Sequence, residues 1–259
     1  MASTAGLPER PLASESTYRP ETEPLLGIPG NGVFLERANI VRKTVPFIGT
    51  LTGIIAEIGV LVLCCEIWAR IASIPVVFFS GHPIAMSTAI FILTQSILFQ
   101  QPITSENLDK KRRGQYVHAV LNLVAFIAIV TGFTIVEVSK VQENRSHFPP
   151  SPHAAFGAST LLLLIVQYII GFTMWMTPSL YGGEARAKSL YKYHRFSGYF
   201  ILLMLLMTAV TAALTGYNKY VLGVRDWVAS LGSFLVVIGV FSRVQKQKLG
   251  FGASQQSQL

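Results

Sequence analysis

Six long apolar stretches constrain this chain more than any other feature of its sequence. Each holds about 20 residues, the number that an α-helix needs to cross a bilayer core roughly 30 Å thick. Of the 259 residues, 51% are hydrophobic and only 13% are charged, and the mean hydropathy is +0.48. We therefore predict an all-α membrane protein. Its six transmembrane helices are expected at residues 45–68, 76–100, 116–138, 154–176, 196–215 and 224–241.

Polar tails flank the apolar region at both ends. Residues 1–43 are rich in Pro, Ser, Thr and Glu and contain no apolar stretch of signal-peptide length, while residues 245–259 are rich in Gln and Ser. Such compositions are typical of disordered segments. The expected organisation is a transmembrane domain at 44–244 between two disordered tails.

The distribution of basic residues predicts the orientation of the chain in the bilayer. Of the 21 Lys and Arg residues, 16 fall in the tails and the connections on one side, and five fall in the connections on the other side. Basic residues favour the cytoplasmic side, so both termini are expected in the cytoplasm. The net charge of +8 is then explained by orientation, and no nucleic-acid partner is expected. The sequence does not distinguish a vacuolar, endosomal, endoplasmic-reticulum or plasma membrane.

Four of the five histidines lie near the ends of the four central predicted helices, one on each helix. The second and fourth helices run inward and carry His82 and His153 near their outer ends. The third and fifth helices run outward and carry His118 and His194 near their inner ends. This topology predicts two histidine pairs, one at each depth.

Two histidines at one depth on facing helices suit axial ligation of a haem iron by neutral imidazoles. The residues four positions further along share a helical face with three of them, and these are Gly157, Gly198 and Asn122. Glycine there would let a flat ring approach the helix backbone. The alternative is that the histidines are interfacial anchors, or that they titrate in a haem-free transporter or proton relay.

Four motifs on the central helices carry a family resemblance, and their order and spacing are more specific than any one of them. They are Gly-His-Pro-Ile-Ala-Met at 81–86, Arg-Gly-Gln-Tyr-Val-His at 113–118, His-Phe at 147–148 with His-Ala-Ala-Phe-Gly at 153–157, and Tyr-His-Arg-Phe-Ser-Gly-Tyr at 193–199. With these motifs the chain resembles the eukaryotic transmembrane cytochrome b561 family over residues 45–244.

The resemblance implies a transmembrane electron-transfer oxidoreductase with two b haems in the central four-helix bundle. It pairs His82 with His153 at the outer haem and His118 with His194 at the inner haem. An ascorbate-type donor in the cytoplasm would reduce the inner haem, and monodehydroascorbate or a ferric chelate would be reduced on the other side. A haem-bearing anchor subunit without its own turnover is a further alternative, and the sequence leaves a homodimer open.

The chain departs from the pattern of the ascorbate-dependent members at two places. Ascorbate-dependent members have a Tyr-Arg pair at the end of the second helix, where this chain has Leu-Phe-Gln-Gln-Pro at 98–102. Ala154 and Ala155 replace the Ser-Trp that usually follows the histidine of the fourth helix. The Phe-x-x-Pro ending at 99–102 is more similar to the short members of the family that are associated with ferric reduction.

Charged residues near the two predicted sites are candidates for substrate contacts. Arg113 and Lys188 lie near the inner histidines and could hold an anionic donor. His147 on an outer connection could bind the acceptor, although an exposed loop histidine explains it equally well.

A single acidic residue lies well inside the first predicted helix. Glu57 is costly there unless it has a partner, and Gln95 or Gln167 would be a suitable one.

Overall fold

Six long helices form the part of the chain that the computed structural model describes, namely residues 33–102, 108–146, 149–245 and 249. No strand occurs in these residues, so the predicted all-α class is confirmed. The long helices are α1 (Val33–Ala72), α2 (Gly81–Gln100), α3 (Leu108–Gln142), α4 (Pro152–Met176), α5 (Glu184–Ala212) and α6 (Asp226–Phe241).

Five of these helices, α1 to α5, contain a segment long and apolar enough to cross a membrane. The sixth helix is apolar but has only 16 residues. At 1.5 Å per residue it extends about 24 Å, which is shorter than a bilayer core of roughly 30 Å. Its length is limited because the polar residues Arg225 and Asp226 stand at its start.

Three helices begin earlier than hydropathy predicts. The starts of α1, α3 and α5 precede the expected residues 45, 116 and 196, because charged and polar turns continue the helix beyond its apolar part. The start of α1 at Val33 makes residues 33–43 of the predicted N-terminal tail helical. The predicted tail residues 1–32, 246–248 and 250–259 lie outside the described part of the chain.

The helices pack as three pairs, α1 with α6, α2 with α3 and α4 with α5. The pairs α2–α3 and α4–α5 face each other as the central bundle, and aromatic contacts link them. Phe126 on α3 lies 4.6 Å from Tyr168 on α4 between ring centroids, and Tyr116 lies 5.4 Å from Trp175. Large apolar side chains such as Leu162, 64% exposed, cover the outside of the bundle, as expected for a surface that contacts lipid.

An ion-pair cluster joins α1 to the start of α6. The carboxylate of Glu66, whose side chain is 9% exposed, accepts hydrogen bonds from Arg225 Nη2 at 2.7 Å and from Arg70 Nε at 3.1 Å. The hydrogen bond to Glu66 raises the pKa of Arg225. The cluster fixes the connection between α5 and α6 against the end of α1.

Glycines allow α1 and α6 to approach each other closely. A Cβ atom on Gly239 would lie 2.5 Å from the backbone nitrogen of Ala56 and 2.5 Å from the carbonyl oxygen of Thr52. A Cβ atom on Gly232 would lie 2.9 Å from the carbonyl oxygen of Gly59. Helices pack in membranes largely through such small-residue contacts.

We expect Gly239→Ala to destabilise the protein by about 1–3 kcal/mol, because the added methyl group meets the backbone of α1 and cannot be accommodated by a side-chain rotation. Thermal unfolding in detergent, followed by circular dichroism, measures the change. Gly216→Ala is the matched control, since its Cβ would lie 3.9 Å from Tyr220, an ordinary contact. Equal stability of the two variants would contradict close packing of α1 on α6.

Candidate functional site

The outer histidine pair lies between α2 and α4. His82 is the second residue of α2, and His153 is the second residue of α4. The centroids of the two imidazole rings are 6.1 Å apart, and the ring planes are inclined by 84°. The first turns of α2 and α4 therefore lie side by side, and they bring these two side chains to one depth.

Backbone carbonyls orient both imidazoles of the outer pair. His82 Nδ1 lies 3.0 Å from the carbonyl oxygen of Gly132 on α3, and His153 Nδ1 lies 2.9 Å from that of Thr208 on α5. A carbonyl oxygen can only accept a hydrogen bond, so each Nδ1 must carry the proton. In the neutral imidazole, Nε2 then has a free lone pair, the form that binds a metal.

The inner pair occupies equivalent positions on the other two central helices. His118 lies ten residues beyond the first residue of α3, and His194 lies ten residues beyond the first residue of α5. His118 Nδ1 is 2.7 Å from the hydroxyl oxygen of Ser96 on α2. His194 Nδ1 is buried and has no hydrogen-bond partner among the described residues.

A glycine on α4 makes room for the His194 ring. A Cβ atom on Gly171 would lie 2.8 Å from His194 Cε1, so a larger residue would displace the imidazole. Gly157 and Gly198, the two glycines expected from the sequence to lie beside a haem, have more space around them than Gly171 has. A Cβ on Gly157 would lie 3.5 Å from Thr208 Cγ2, and one on Gly198 would lie 3.3 Å from Gln167 Nε2.

A glutamine links α4 to the helix turn that bears His194. Gln167 Nε2 donates to the backbone carbonyl of His194 at 2.7 Å, and its Oε1 accepts from the hydroxyl of Ser197 at 2.7 Å. This bridge fixes the backbone of α5 at the inner pair.

Several groups around the histidines were not predicted from the sequence. Ser96 and Gln167 are polar residues on apolar helices, and that contrast is a signal that could have identified them. The carbonyl groups of Gly132 and Thr208 carry no sequence signal, because every residue has such a group. Their role depends on which helices are neighbours.

Two of the three candidate substrate residues lie in the described part of the chain, and both are exposed. Arg113 on α3 is exposed, and Lys188 on α5 is 64% exposed and forms an ion pair with Glu184 at 3.2 Å. His147 lies outside the described residues.

Two basic residues that precede His147 in the sequence, Lys140 and Arg145, are paired with acidic neighbours. Lys140 binds Glu137 at 3.2 Å, and Arg145 binds Glu143. Their positive charge is therefore partly neutralised locally.

Glu57 has one of the two partners that the sequence suggested. Gln95 Nε2 donates to Glu57 Oε2 at 2.6 Å, whereas Gln167 serves the inner pair instead. The carboxylate, although it lies inside an apolar helix, therefore has a hydrogen-bond donor on the neighbouring helix α2.

The described residues contain no group of three or more His, Cys, Asp or Glu side chains that could hold a metal ion. Each histidine pair offers two nitrogen ligands. Such a pair suits a metal whose remaining ligands come from a macrocycle.

Comparison with known proteins identifies a family for the part of the chain that contains the central helices. The model of the eukaryotic cytochrome b561 family matches residues 81–223, which include all four paired histidines. The lysosomal membrane ascorbate-dependent ferrireductase CYB561A3 of Mus musculus is 24% identical over 144 residues, covering 56% of this chain and 57% of the relative. The protein of the same name from Rattus norvegicus is also 24% identical over 144 residues, covering 54% of its length.

The chain thus spans about half the length of the curated relatives it matches. No solved structure matches it. The family match covers more than half of the chain and runs from the start of α2 past the end of α5, the segment that builds both histidine pairs. The chain therefore belongs to the eukaryotic cytochrome b561 family.

Proposed function

We propose that this protein is a transmembrane oxidoreductase that holds two b haems, with His82 and His153 as the axial ligands of the outer haem and His118 and His194 as those of the inner haem. It would carry electrons from a cytoplasmic ascorbate-type donor to a ferric chelate or monodehydroascorbate on the other side of the membrane. The observation that carries this proposal is the geometry of the outer pair.

The spacing of the outer imidazoles fits one metal ion between them. Metal–imidazole bonds are about 2 Å long, so two imidazoles on opposite sides of one ion have ring centroids about 6 Å apart. The observed separation of His82 and His153 is 6.1 Å. Their Nδ1–H groups are engaged by carbonyls, which leaves Nε2 of each ring available for the iron.

The inner pair supports a second site of the same kind. Nδ1 of His194 is buried without a partner among the described residues, and Gly171 leaves room for the ring. Both features suit a ring that changes its orientation when a ligand binds. Haem b supplies a reversible one-electron iron couple when it is bound. Backbone carbonyls hold the two outer imidazoles in one tautomer, and the apolar helix faces exclude water from the bundle.

The donor and the acceptor follow from the predicted orientation and the relatives. We place the transmembrane domain at 44–244 with both termini in the cytoplasm, so that Arg113 and Lys188 face the donor. The rodent relatives are named as ascorbate-dependent ferrireductases, which favours ascorbate and a ferric acceptor here.

We expect His82→Ala or His153→Ala to remove only the outer haem, and His118→Ala or His194→Ala to remove only the inner haem. Each variant should therefore retain about half of the wild-type haem, because only one of the two irons loses an axial ligand. Haem-to-protein ratios and reduced-minus-oxidised spectra of purified protein measure this. His147→Ala is the matched control and should keep both haems; loss of both haems from one single substitution would contradict the pairing.

Electron transfer across the membrane tests the activity itself. Vesicles containing the protein and loaded with ascorbate should reduce an external ferric chelate, whereas vesicles with the double variant His82→Ala/His118→Ala should not exceed empty vesicles. The rate of ferrous-complex formation outside the vesicles is the measurement. A haem-containing protein without this activity would be an anchor subunit, and a colourless protein would favour the transporter or proton relay.

The two basic residues assigned to the donor give a separate prediction. Reversing the charge in Arg113→Glu or Lys188→Glu should raise the ascorbate concentration needed for half-maximal haem reduction several-fold, because the local attraction for an anion is lost. Lys219→Glu, at an exposed lysine in the connection between α5 and α6, is the control. Identical ascorbate dependence in all three variants would exclude Arg113 and Lys188 from the donor site.

A further inference from the structure

We propose that Ser96 is a positioning residue for the inner haem: together with Asn122 it holds His118 in the tautomer whose Nε2 binds iron, and it thereby lowers the reduction potential of that haem. This inference rests on the proposed function, since it concerns the same haem. It goes further because it assigns control of the potential to two side chains that are not ligands.

Three short contacts define the network around Ser96. Its hydroxyl oxygen is 2.7 Å from His118 Nδ1 and 2.7 Å from Asn122 Nδ2. Asn122 Nδ2 is also 2.6 Å from the backbone carbonyl oxygen of His118. Ser96 is fully buried, so water does not compete for its hydroxyl.

The orientation of Asn122 follows from the carbonyl that it meets. A carbonyl oxygen only accepts, so the side-chain atom of Asn122 facing it must be the amide nitrogen. The second proton of that nitrogen points to Ser96, and the Ser96 oxygen therefore accepts from Asn122. The backbone of Asn122 is itself held, because Tyr168 on α4 donates its hydroxyl proton to the Asn122 carbonyl at 2.9 Å.

Ser96 can then accept a second hydrogen bond, from Nδ1–H of His118. A hydroxyl oxygen has two lone pairs, and Asn122 uses one of them. If Ser96 instead donated to Nδ1, the neutral imidazole would carry its proton on Nε2 and could not bind iron through that atom. The accepting arrangement is thus the one compatible with ligation.

The other histidines show why this position is distinctive. His82 and His153 donate to backbone carbonyls, which no substitution removes, and His194 Nδ1 has no hydrogen-bond partner in the described part of the chain. Among the four, and within the described residues, only His118 has a side chain as its Nδ1 partner. Ser96 is therefore the residue through which sequence can adjust an axial imidazole.

The chemical consequence is a lower reduction potential for the inner haem. A hydrogen bond from Nδ1–H makes the imidazole a stronger electron donor to the metal. A stronger donor stabilises ferric over ferrous iron, so the potential falls. Removing the acceptor should move the potential to a more positive value.

Spectroelectrochemistry of the purified, haem-loaded protein tests the proposal. The inner haem is identified as the spectral component that His118→Ala abolishes. In Ser96→Ala the midpoint potential of this component should become more positive, while that of the other component stays unchanged. Asn122→Leu should shift the same component in the same direction by a smaller amount, because Asn122 acts through Ser96. Ser96→Thr, which restores a hydroxyl, should return the midpoint to the wild-type value.

Thr94→Val is the matched control. Thr94 is a buried hydroxyl residue on the same helix, and its side chain donates to the carbonyl of Ile90 within that helix, its one hydrogen bond among the described residues. Unchanged midpoints in both Ser96→Ala and Asn122→Leu, or shifts no larger than that of Thr94→Val, would overturn the proposal while leaving the haem assignment intact. If Ser96→Ala lost the inner haem, Asn122→Leu would decide alone. A wild-type protein without haem would overturn this proposal and the proposed function together.

Discussion

An imidazole buried in a bilayer needs a hydrogen-bond partner for its N–H group, and this requirement organises the centre of the protein. Water is absent from the hydrocarbon region, so an unpaired polar group there is costly. His82 and His153 meet the requirement with carbonyls of neighbouring helices, and His118 meets it with Ser96, whereas Nδ1 of His194 has no partner among the described residues. Each bond joins two helices and at the same time directs the second ring nitrogen.

The pairing of helices makes these bonds available. The histidine of α2 reaches the backbone of its partner α3, and the histidine of α4 reaches the backbone of its partner α5. The two helix pairs then face each other. The pair α2–α3 carries one outer and one inner histidine, and so does the pair α4–α5. The pair formed by α1 and α6 packs through glycines and carries none of the four histidines, in agreement with a family match that begins at α2 and ends before α6.

Much of the architecture was predictable because membrane helices are selected by length and apolarity. The order of the helices, the all-α class and the position of one histidine at the start of α2 and of α4 follow from the sequence. The partner of Glu57 was narrowed to two glutamines, of which the structure selects Gln95. Helix starts at α1, α3 and α5 were placed too late, because hydropathy reports only the part of a helix that faces lipid.

What the sequence by itself determined is the all-α class, the order of the long apolar helices and the placement of one histidine at the start of α2 and of α4, since these depend on properties read along the chain. The tertiary structure decided which groups surround the imidazoles. These groups all lie on a different helix from the imidazole that they contact. They are the carbonyls of Gly132 and Thr208, Gly171 beside the His194 ring, and Ser96 beside His118. Such contacts depend on how each helix is rotated about its axis and on which helices are its neighbours. Local sequence patterns give no information about either.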